Sequence, residues 1–171
     1  MKTKRHSRGC LFVLAKGVEC CILKGAIFLH TLMESIHKKR ATRILIIEDD
    51  LSLSEIMHRA FQQAEFDVFS ARTGEEGIEQ VKTLRPQVIV LDILLPDIDG
   101  FEVLKRIKQD EAGKKAQVIL LSNLDEVGDM ERALSLGATT YLVKAHYTPQ
   151  QIIDRVKMML KERIGSDSYE E

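Results

Sequence analysis

The chain has 171 residues, of which 44% are hydrophobic and 30% are charged, a length typical of one globular domain of roughly 100–200 residues. Three prolines, ten glycines and no long polar tract exclude collagen-like and broadly disordered proteins. Residues 1–42 hold nine basic and two acidic residues, whereas residues 43–171 hold 16 and 24. Because nucleic-acid surfaces neutralise phosphates with clustered Lys and Arg, the acidic body is not expected to bind DNA directly.

The first 42 residues differ from the rest of the chain. They contain every cysteine, which excludes a disulfide framework from the body and favours a reducing, cytoplasmic location. Their apolar runs are too short for a signal peptide or a membrane span, because charges interrupt them at Lys16, Glu19 and Lys24. Three interpretations stay open: a basic amphipathic helix on a membrane or partner, a disordered arm, or upstream sequence preceding a start at Met33. Membrane contact is disfavoured but open.

From residue 43 onward, short apolar runs alternate with amphipathic stretches. The runs predict strands at 44–47, 66–69, 88–91, 118–121 and 141–143. Near-continuous Val, Ile and Leu is typical of parallel strands that are buried on both faces. Right-handed crossovers between such strands place helices on both sides of the sheet. The sequence therefore predicts a doubly wound α/β fold with a five-stranded parallel sheet.

Apolar residues recurring every three or four positions predict helices between and after the strands. Four starts are marked by a capping oxygen three residues before Glu or Gln, in the pairs Ser52 and Glu55, Thr73 and Glu76, Asp99 and Glu102, and Thr148 and Gln151. Pro149 at a first helical position supports the last start. A weaker helix at about 125–136 ends at Gly137.

Polar side chains follow four of the five predicted strands. They are Glu48, Asp49 and Asp50 after the first strand, Asp92 after the third, Ser122 after the fourth and Lys144 after the fifth. Ligands of open parallel sheets bind beyond the carboxyl ends of the strands, so these groups are expected to meet. Carboxylates 4 Å apart repel by about 4 kcal/mol at an effective dielectric near 20, which calls for a cation. Oxygen ligands favour Mg²⁺, and the lack of His or Cys at ligand spacing disfavours zinc.

Asp92 stands alone after its strand and precedes I-L-L-P-D-I-D-G. An isolated aspartate can form an acyl phosphate when a metal neutralises the incoming phosphoryl group. Lys144 and Ser122 are available to hold the remaining phosphoryl oxygens. Each of these groups alone would be an ordinary capping or surface residue, and it is their occurrence together that favours phosphoryl transfer.

The segments I-L-I-I-E-D-D, L-D-I-L-L-P-D-I-D-G, V-I-L-L-S and Y-L-V-K resemble the receiver domain of two-component response regulators, of the single-domain chemotaxis type, over about residues 43–163. The resemblance implies a flavodoxin-like fold with strand order 2-1-3-4-5. It also implies that Asp92 is the phospho-acceptor and that Mg²⁺ is held by Glu48, Asp49, Asp92 and the backbone carbonyl of Leu94.

The same resemblance implies a switch. Ser122 matches the switch hydroxyl, Tyr141 the switch aromatic residue, and Lys144 the amine that pairs with the phosphoryl group. A phosphoryl group adds about two negative charges, which would draw Ser122 and Lys144 inward and let the Tyr141 ring turn inward. A downstream protein would read the face made by the fourth predicted helix, strand 5 and the last helix, and this face could also form a homodimer.

Two positions depart from the family pattern. Ala145 stands where the family has proline, often after a cis bond, and a cis bond before alanine costs about 2.5–4 kcal/mol against 0.5–1 before proline. The bond is therefore either trans here or held under strain. Asn123 replaces a small residue, which suggests an altered rate of acyl-phosphate hydrolysis.

We interpret the chain as a stand-alone response regulator that receives its phosphoryl group from a sensor histidine kinase or a phosphotransfer protein. The expected organisation is a basic extension at 1–42, a receiver at 43–164 and a disordered tail at 165–171. The expected catalysis is only Mg²⁺-dependent self-phosphorylation and autodephosphorylation. The main alternative is a phosphorylation-independent pseudo-receiver. An aspartyl phosphatase is disfavoured by Leu94, where a second acid is needed, and a flavodoxin-type FMN protein by the acidic loop after strand 1.

Overall fold

The computed structural model describes residues 41–123 and 127–166. The hypotheses for the basic extension at 1–42 and the tail at 165–171 fall mainly on residues 1–40 and 167–171, which lie outside the described residues. The described elements are β1 Arg43–Ile47, α1 Leu51–Gln63, β2 Asp67–Ala71, α2 Gly74–Leu84, β3 Val88–Asp92, α3 Gly100–Gln109, α4 Glu111–Lys114, β4 Gln117–Ser122, α5 Val127–Ser135, β5 Thr140–Val143, a 3₁₀ turn Lys144–His146 and α6 Pro149–Ser166. None of these helices is long and apolar enough to cross a membrane.

The five strands form one parallel sheet in the order β2-β1-β3-β4-β5. This confirms the predicted doubly wound α/β fold and its strand order. The strand order places β3 between β1 and β4, and all five β3 residues are buried. The register aligns the carboxyl ends of the strands, because Ile47 lies beside Leu91 and Asp92 lies beside Leu121.

The sheet separates two apolar layers, since neighbouring residues of a strand point to opposite faces. Leu45 belongs to the layer that contains α2 and α3 side chains. Ile46, the next residue, belongs to the layer that contains side chains of α1 and α6. Both residues are fully buried. In the second layer, the rings of Phe61 and Phe66 meet edge to face with centroids 5.8 Å apart.

The structure confirms three of the four predicted helix caps. Thr73 Oγ1 accepts the Glu76 N–H, an Asp99 carboxylate oxygen accepts the Phe101 N–H, and Thr148 and Gln151 bond reciprocally. The prediction that Ser52 caps the first helix is wrong. Asp50 is the cap, because its Oδ1 accepts the N–H groups of Ser52 at 2.8 Å and Leu53 at 3.1 Å. The helix therefore begins at Leu51, directly beyond the acidic residues.

Two short elements were not predicted. The helix α4 spans only four residues and is capped by Asp110, which accepts the Ala112 N–H. The 3₁₀ turn Lys144–His146 follows β5 and contains Ala145. No cis peptide bond occurs among the residues that the structure describes, so the bond before Ala145 is trans. Lys144 therefore reaches its position without the proline of the family pattern.

Candidate functional site

Three strands deliver charged side chains to one edge of the sheet. The first strand ends at Ile47, which leaves Glu48 as the next residue, and the Glu48 N–H continues the ladder by donating to the Ala71 carbonyl at 3.0 Å. Asp92 is the last residue of β3, and Lys144 follows the last residue of β5. The predicted convergence of these groups is therefore a feature of the structure.

The Lys144 ammonium lies between the two buried carboxylates. Its Nζ donates to Glu48 Oε2 at 2.7 Å and Oε1 at 3.0 Å, and to Asp92 Oδ2 at 2.7 Å. Glu48 and Asp92 are each only 2% exposed, and the Lys144 side chain is 14% exposed. Charges removed from water in this way need close partners, since an unpaired buried charge costs several kcal/mol. Lys144 is thus the internal counter-ion of the acid pair.

A third carboxylate completes an oxygen cluster. Glu48, Asp49 and Asp92 each offer an oxygen, and these oxygens lie within 4.8 Å of one another. Asp49 is exposed, so the cluster opens to solvent on one side. Three carboxylates and one ammonium formally leave two negative charges. An all-oxygen, solvent-accessible site with this charge fits Mg²⁺, which keeps several of its waters.

Burial and the close contacts within the site shift the pKa values of Glu48 and Lys144. Burial raises the pKa of Glu48 from 4.5 to about 7, and the Asp92 charge adds to this rise, while the hydrogen bond and charge of Lys144 oppose it. For Lys144, burial would lower the pKa, but the ion pairs with Asp92 and Glu48 outweigh burial and raise it. Lys144 therefore stays charged at neutral pH, whereas the Glu48 carboxyl group changes its protonation state near neutral pH.

The loop after Asp92 is held close to the acidic cluster. The Leu94 N–H donates to Asp92 Oδ1 at 3.2 Å, and the Gly100 N–H donates to the Ile93 carbonyl at 2.9 Å. The Leu94 side chain is 57% exposed, so its place beside the site depends on the backbone. This position is compatible with the carbonyl role that the resemblance implies for Leu94.

The two predicted switch residues lie on the neighbouring strands. Ser122 is the last residue of β4, is buried, and follows Leu121, the register partner of Asp92. Tyr141 lies in β5, at the edge of the sheet, beside Leu120. Its partly buried ring packs against the layer that contains Leu45. Their switch roles stay predictions.

Asp97 is a further residue near the site that no sequence motif singles out. Its carboxylate accepts the N–H groups of Gly74 at 2.8 Å and Glu75 at 2.9 Å, which links the loop after β3 to the start of α2. A carboxylate after proline in a short loop is a signal for a local turn or cap. The partner lies 23 positions away, however, so no local pattern points to it.

Comparisons with known proteins agree with this geometry. The family model of the response regulator receiver domain matches residues 44–157. The alkaline phosphatase synthesis transcriptional regulatory protein PhoP of Bacillus subtilis (strain 168) is 33% identical over 119 residues, covering 70% of this chain and 48% of PhoP. The DNA-binding dual master transcriptional regulator RpaA of Synechocystis is 34% identical over 119 residues, covering 70% and 49%. The chain spans about half the length of these relatives.

Among solved structures, the Francisella response regulator 1452 receiver domain is similar, with 27% sequence identity and a TM-score of 0.66. That match covers 71% of this chain and 98% of the Francisella domain. Residues 44–157, which the family model matches, contain β2 to β5, all of β1 except Arg43, and the converging side chains of Glu48, Asp92 and Lys144. The chain belongs to the response regulator receiver domain family.

Proposed function

We propose that this receiver domain accepts a phosphoryl group on Asp92 in a Mg²⁺-dependent reaction. The donor is a sensor histidine kinase or a phosphotransfer protein. The observation that carries the proposal is the Lys144 ammonium bonded to both Asp92 and Glu48 inside a three-carboxylate cluster. A nucleophile, a fixed cation and ligands for a divalent ion then lie within one site, and phosphoryl transfer needs little else.

The proposed reaction is a displacement at phosphorus. A carboxylate oxygen of Asp92 bonds to the phosphorus, the bond from phosphorus to the donor atom breaks, and the donor keeps the electron pair. Lys144 then pairs with a phosphoryl oxygen, and Ser122 would donate to another. Mg²⁺, held by Glu48, Asp49, Asp92 and the Leu94 carbonyl, would neutralise developing negative charge. The proposed catalysis ends with hydrolysis of this acyl phosphate.

The proposed output is a protein contact that depends on phosphorylation. The face consists of α5, β5 and α6. Tyr141, Tyr147 and Met158 line a groove on it, and Tyr147 and Met158 are exposed. In the part of the chain that the structure describes, β5 is an edge strand, so this face includes an unpaired strand edge. A downstream target or a second copy of the chain would bind there after Tyr141 changes its rotamer.

The acceptor is tested with small phosphodonors. Incubation with Mg²⁺ and acetyl phosphate is expected to add one phosphoryl group, detected by intact-protein mass spectrometry, and the addition should be labile at alkaline pH. Asp92→Asn and removal of Mg²⁺ with EDTA should each abolish it. Asp99→Asn is the matched control, because asparagine still caps α3 and should leave the addition intact.

The result also separates the alternatives. An unmodified wild-type protein would contradict the proposal and favour a phosphorylation-independent interaction module, for which Ala145 and Asn123 are the only supporting residues. Release of phosphate from unrelated phosphoesters would instead indicate a phosphatase. A purified histidine kinase that carries a labelled phosphohistidine then tests transfer from a protein donor, in addition to acetyl phosphate.

A further inference from the structure

We infer that Asp97 is a positioning residue that joins two parts of the acidic site and thereby sets its affinity for Mg²⁺. The inference rests on the proposed function, because it assumes that the cluster holds Mg²⁺. Asp97 does not belong to that cluster. Its effect would pass through the backbone of the loop at residues 93–99.

The helix α2 needs partners for its first N–H groups, which have none within the helix. The Thr73 side chain accepts the Glu76 N–H at 3.2 Å, and the Thr73 carbonyl accepts the Gly77 N–H at 3.0 Å. Asp97 Oδ1 serves the Gly74 N–H and Asp97 Oδ2 serves the Glu75 N–H. Both carboxylate oxygens are therefore used, and a negative charge lies at the positive end of the helix. Desolvation would raise the pKa of Asp97, but backbone hydrogen bonds lower it and keep the carboxylate ionised.

Close packing fixes the same junction. A Cβ atom at Gly74 would lie 2.5 Å from Ile98 Cγ1, so only glycine lets the loop approach the helix this closely. The Glu75 carboxylate is also bidentately paired with Arg106 of α3, with Nη2 to Oε2 at 3.0 Å. The loop therefore contacts α2 in two ways, through the two hydrogen bonds of the Asp97 carboxylate and through the Ile98 side chain against Gly74.

Backbone contacts continue from this junction to the acidic cluster on both sides. On one side, Leu94 donates to Asp92 Oδ1, and Gly100 donates to the Ile93 carbonyl. On the other side, Ala71, three residues before Gly74, accepts the Glu48 N–H. Asp97 thus links the segment that bonds to the Glu48 backbone with the loop that bonds to the Asp92 side chain.

Loss of Asp97 should therefore weaken the Mg²⁺ site without removing a ligand. Groups that orient metal ligands typically contribute 10–100-fold in metal affinity. We expect the dissociation constant for Mg²⁺ to rise by about 10-fold in Asp97→Ala. Phosphorylation of that variant by acetyl phosphate should recover when Mg²⁺ is saturating, since every proposed ligand is still present.

The experiment is calorimetric titration of the full chain with MgCl₂, without a phosphodonor. Thr73→Ala is the matched control, because it removes a cap from the same helix but leaves the loop attached. Its Mg²⁺ affinity should stay within about two-fold of the wild type, since it changes no group that orients the site. Asp97→Asn keeps one acceptor oxygen, so an intermediate affinity is expected, and it replaces Asp97→Ala if that variant fails to fold.

A second measurement does not involve the metal. Amide hydrogen exchange in EDTA should be faster at Leu94 and Gly100 in Asp97→Ala than in Thr73→Ala, because Asp97 bonds the loop to α2 whereas Thr73 bonds only within its own helix start. Equal Mg²⁺ affinities and equal exchange rates in the two variants would overturn the inference and leave the proposed function standing. Failure of the wild-type chain to bind Mg²⁺ would overturn both the inference and the proposed function.

Discussion

Glu48 couples the protonation of the site to the stability of the fold. Burial and the neighbouring Asp92 raise its pKa to about 7 in the folded chain, against 4.5 for a free side chain. The folded state therefore binds the Glu48 proton more tightly than the unfolded state does. This contribution to stability is fully present below about pH 4.5 and is lost as the pH rises through about 7.

The expected result is a pH-dependent difference between the wild type and Glu48→Gln. As the pH rises from 5 to 8 in EDTA, the free energy of unfolding of the wild type should fall, relative to the variant, by on the order of 3 kcal/mol. Glutamine has no proton to lose, so the variant should lack this component. Urea denaturation at each pH, followed by circular dichroism, measures the difference.

A difference that stays constant between pH 5 and 8 would contradict this prediction. A difference of the opposite sign would show that Lys144 outweighs burial at Glu48. Asp50→Asn is a suitable control, because Asp50 is exposed and asparagine still caps α1.

The loop between β3 and α3 depends on a glycine at its end. A Cβ atom at Gly100 would collide with the backbone carbonyl of Asp92 and lie 2.6 Å from Ile93 Cα. Backbone atoms cannot turn aside as a flexible side chain can. Gly100→Ala should therefore lower the free energy of unfolding by about 1–3 kcal/mol, the usual cost of overpacking.

Gly128 in α5 provides the matched control. Apart from the adjoining residues and the backbone of its own helix, no atom of the described residues would lie within 4 Å of a Cβ atom at Gly128, so Gly128→Ala should raise the free energy of unfolding by up to about 1 kcal/mol, as alanine favours helix. Urea denaturation of both variants tests the contrast. Equal changes in the free energy of unfolding would mean that crowding around Gly100 does not destabilise Gly100→Ala.

The sequence predicted the strands and the convergence at their ends because both depend on simple patterns. In β3, residues 88–91 are all apolar, a pattern typical of a strand that is buried on both faces. Parallel topology then fixes which strand ends meet, so Asp92 and Lys144 could be placed together without coordinates. The meeting of these two side chains could therefore be predicted from the predicted fold.

Three features escaped prediction because no sequence pattern identifies them. Asp50 and Ser52 are both good caps, and the choice between them follows from where β1 ends. The helix α4 is too short for any apolar repeat to be recognised. The bonds of Asp97 to Gly74 and Glu75 join two loops that only the folded sheet brings together.

The two apolar layers share one sheet, so they should unfold together. Leu45 and Ile46 are adjacent, fully buried and point into opposite layers. Leu45→Ala and Ile46→Ala should each lower the free energy of unfolding by about 2–5 kcal/mol, the range for large-to-alanine core substitutions. Ile56→Ala, at an exposed position of α1, should change it by less than about 0.5 kcal/mol.

Circular dichroism and tyrosine fluorescence should give the same urea midpoint for each of these variants, because the chain contains no tryptophan and Tyr141 reports on the layer of Leu45. Two separate transitions in either variant would show that the layers unfold independently.

Lys144 and Glu48 lie 96 positions apart in the chain, and this distance has a consequence during synthesis. A nascent chain that has left the ribosome only as far as β4 carries the acids but not the ammonium that balances them. Asp92 then lacks the positive charge of Lys144 until the last strand has joined the sheet. The charge balance at this edge of the sheet is therefore completed only late in synthesis, when Lys144 can bond to Glu48 and Asp92.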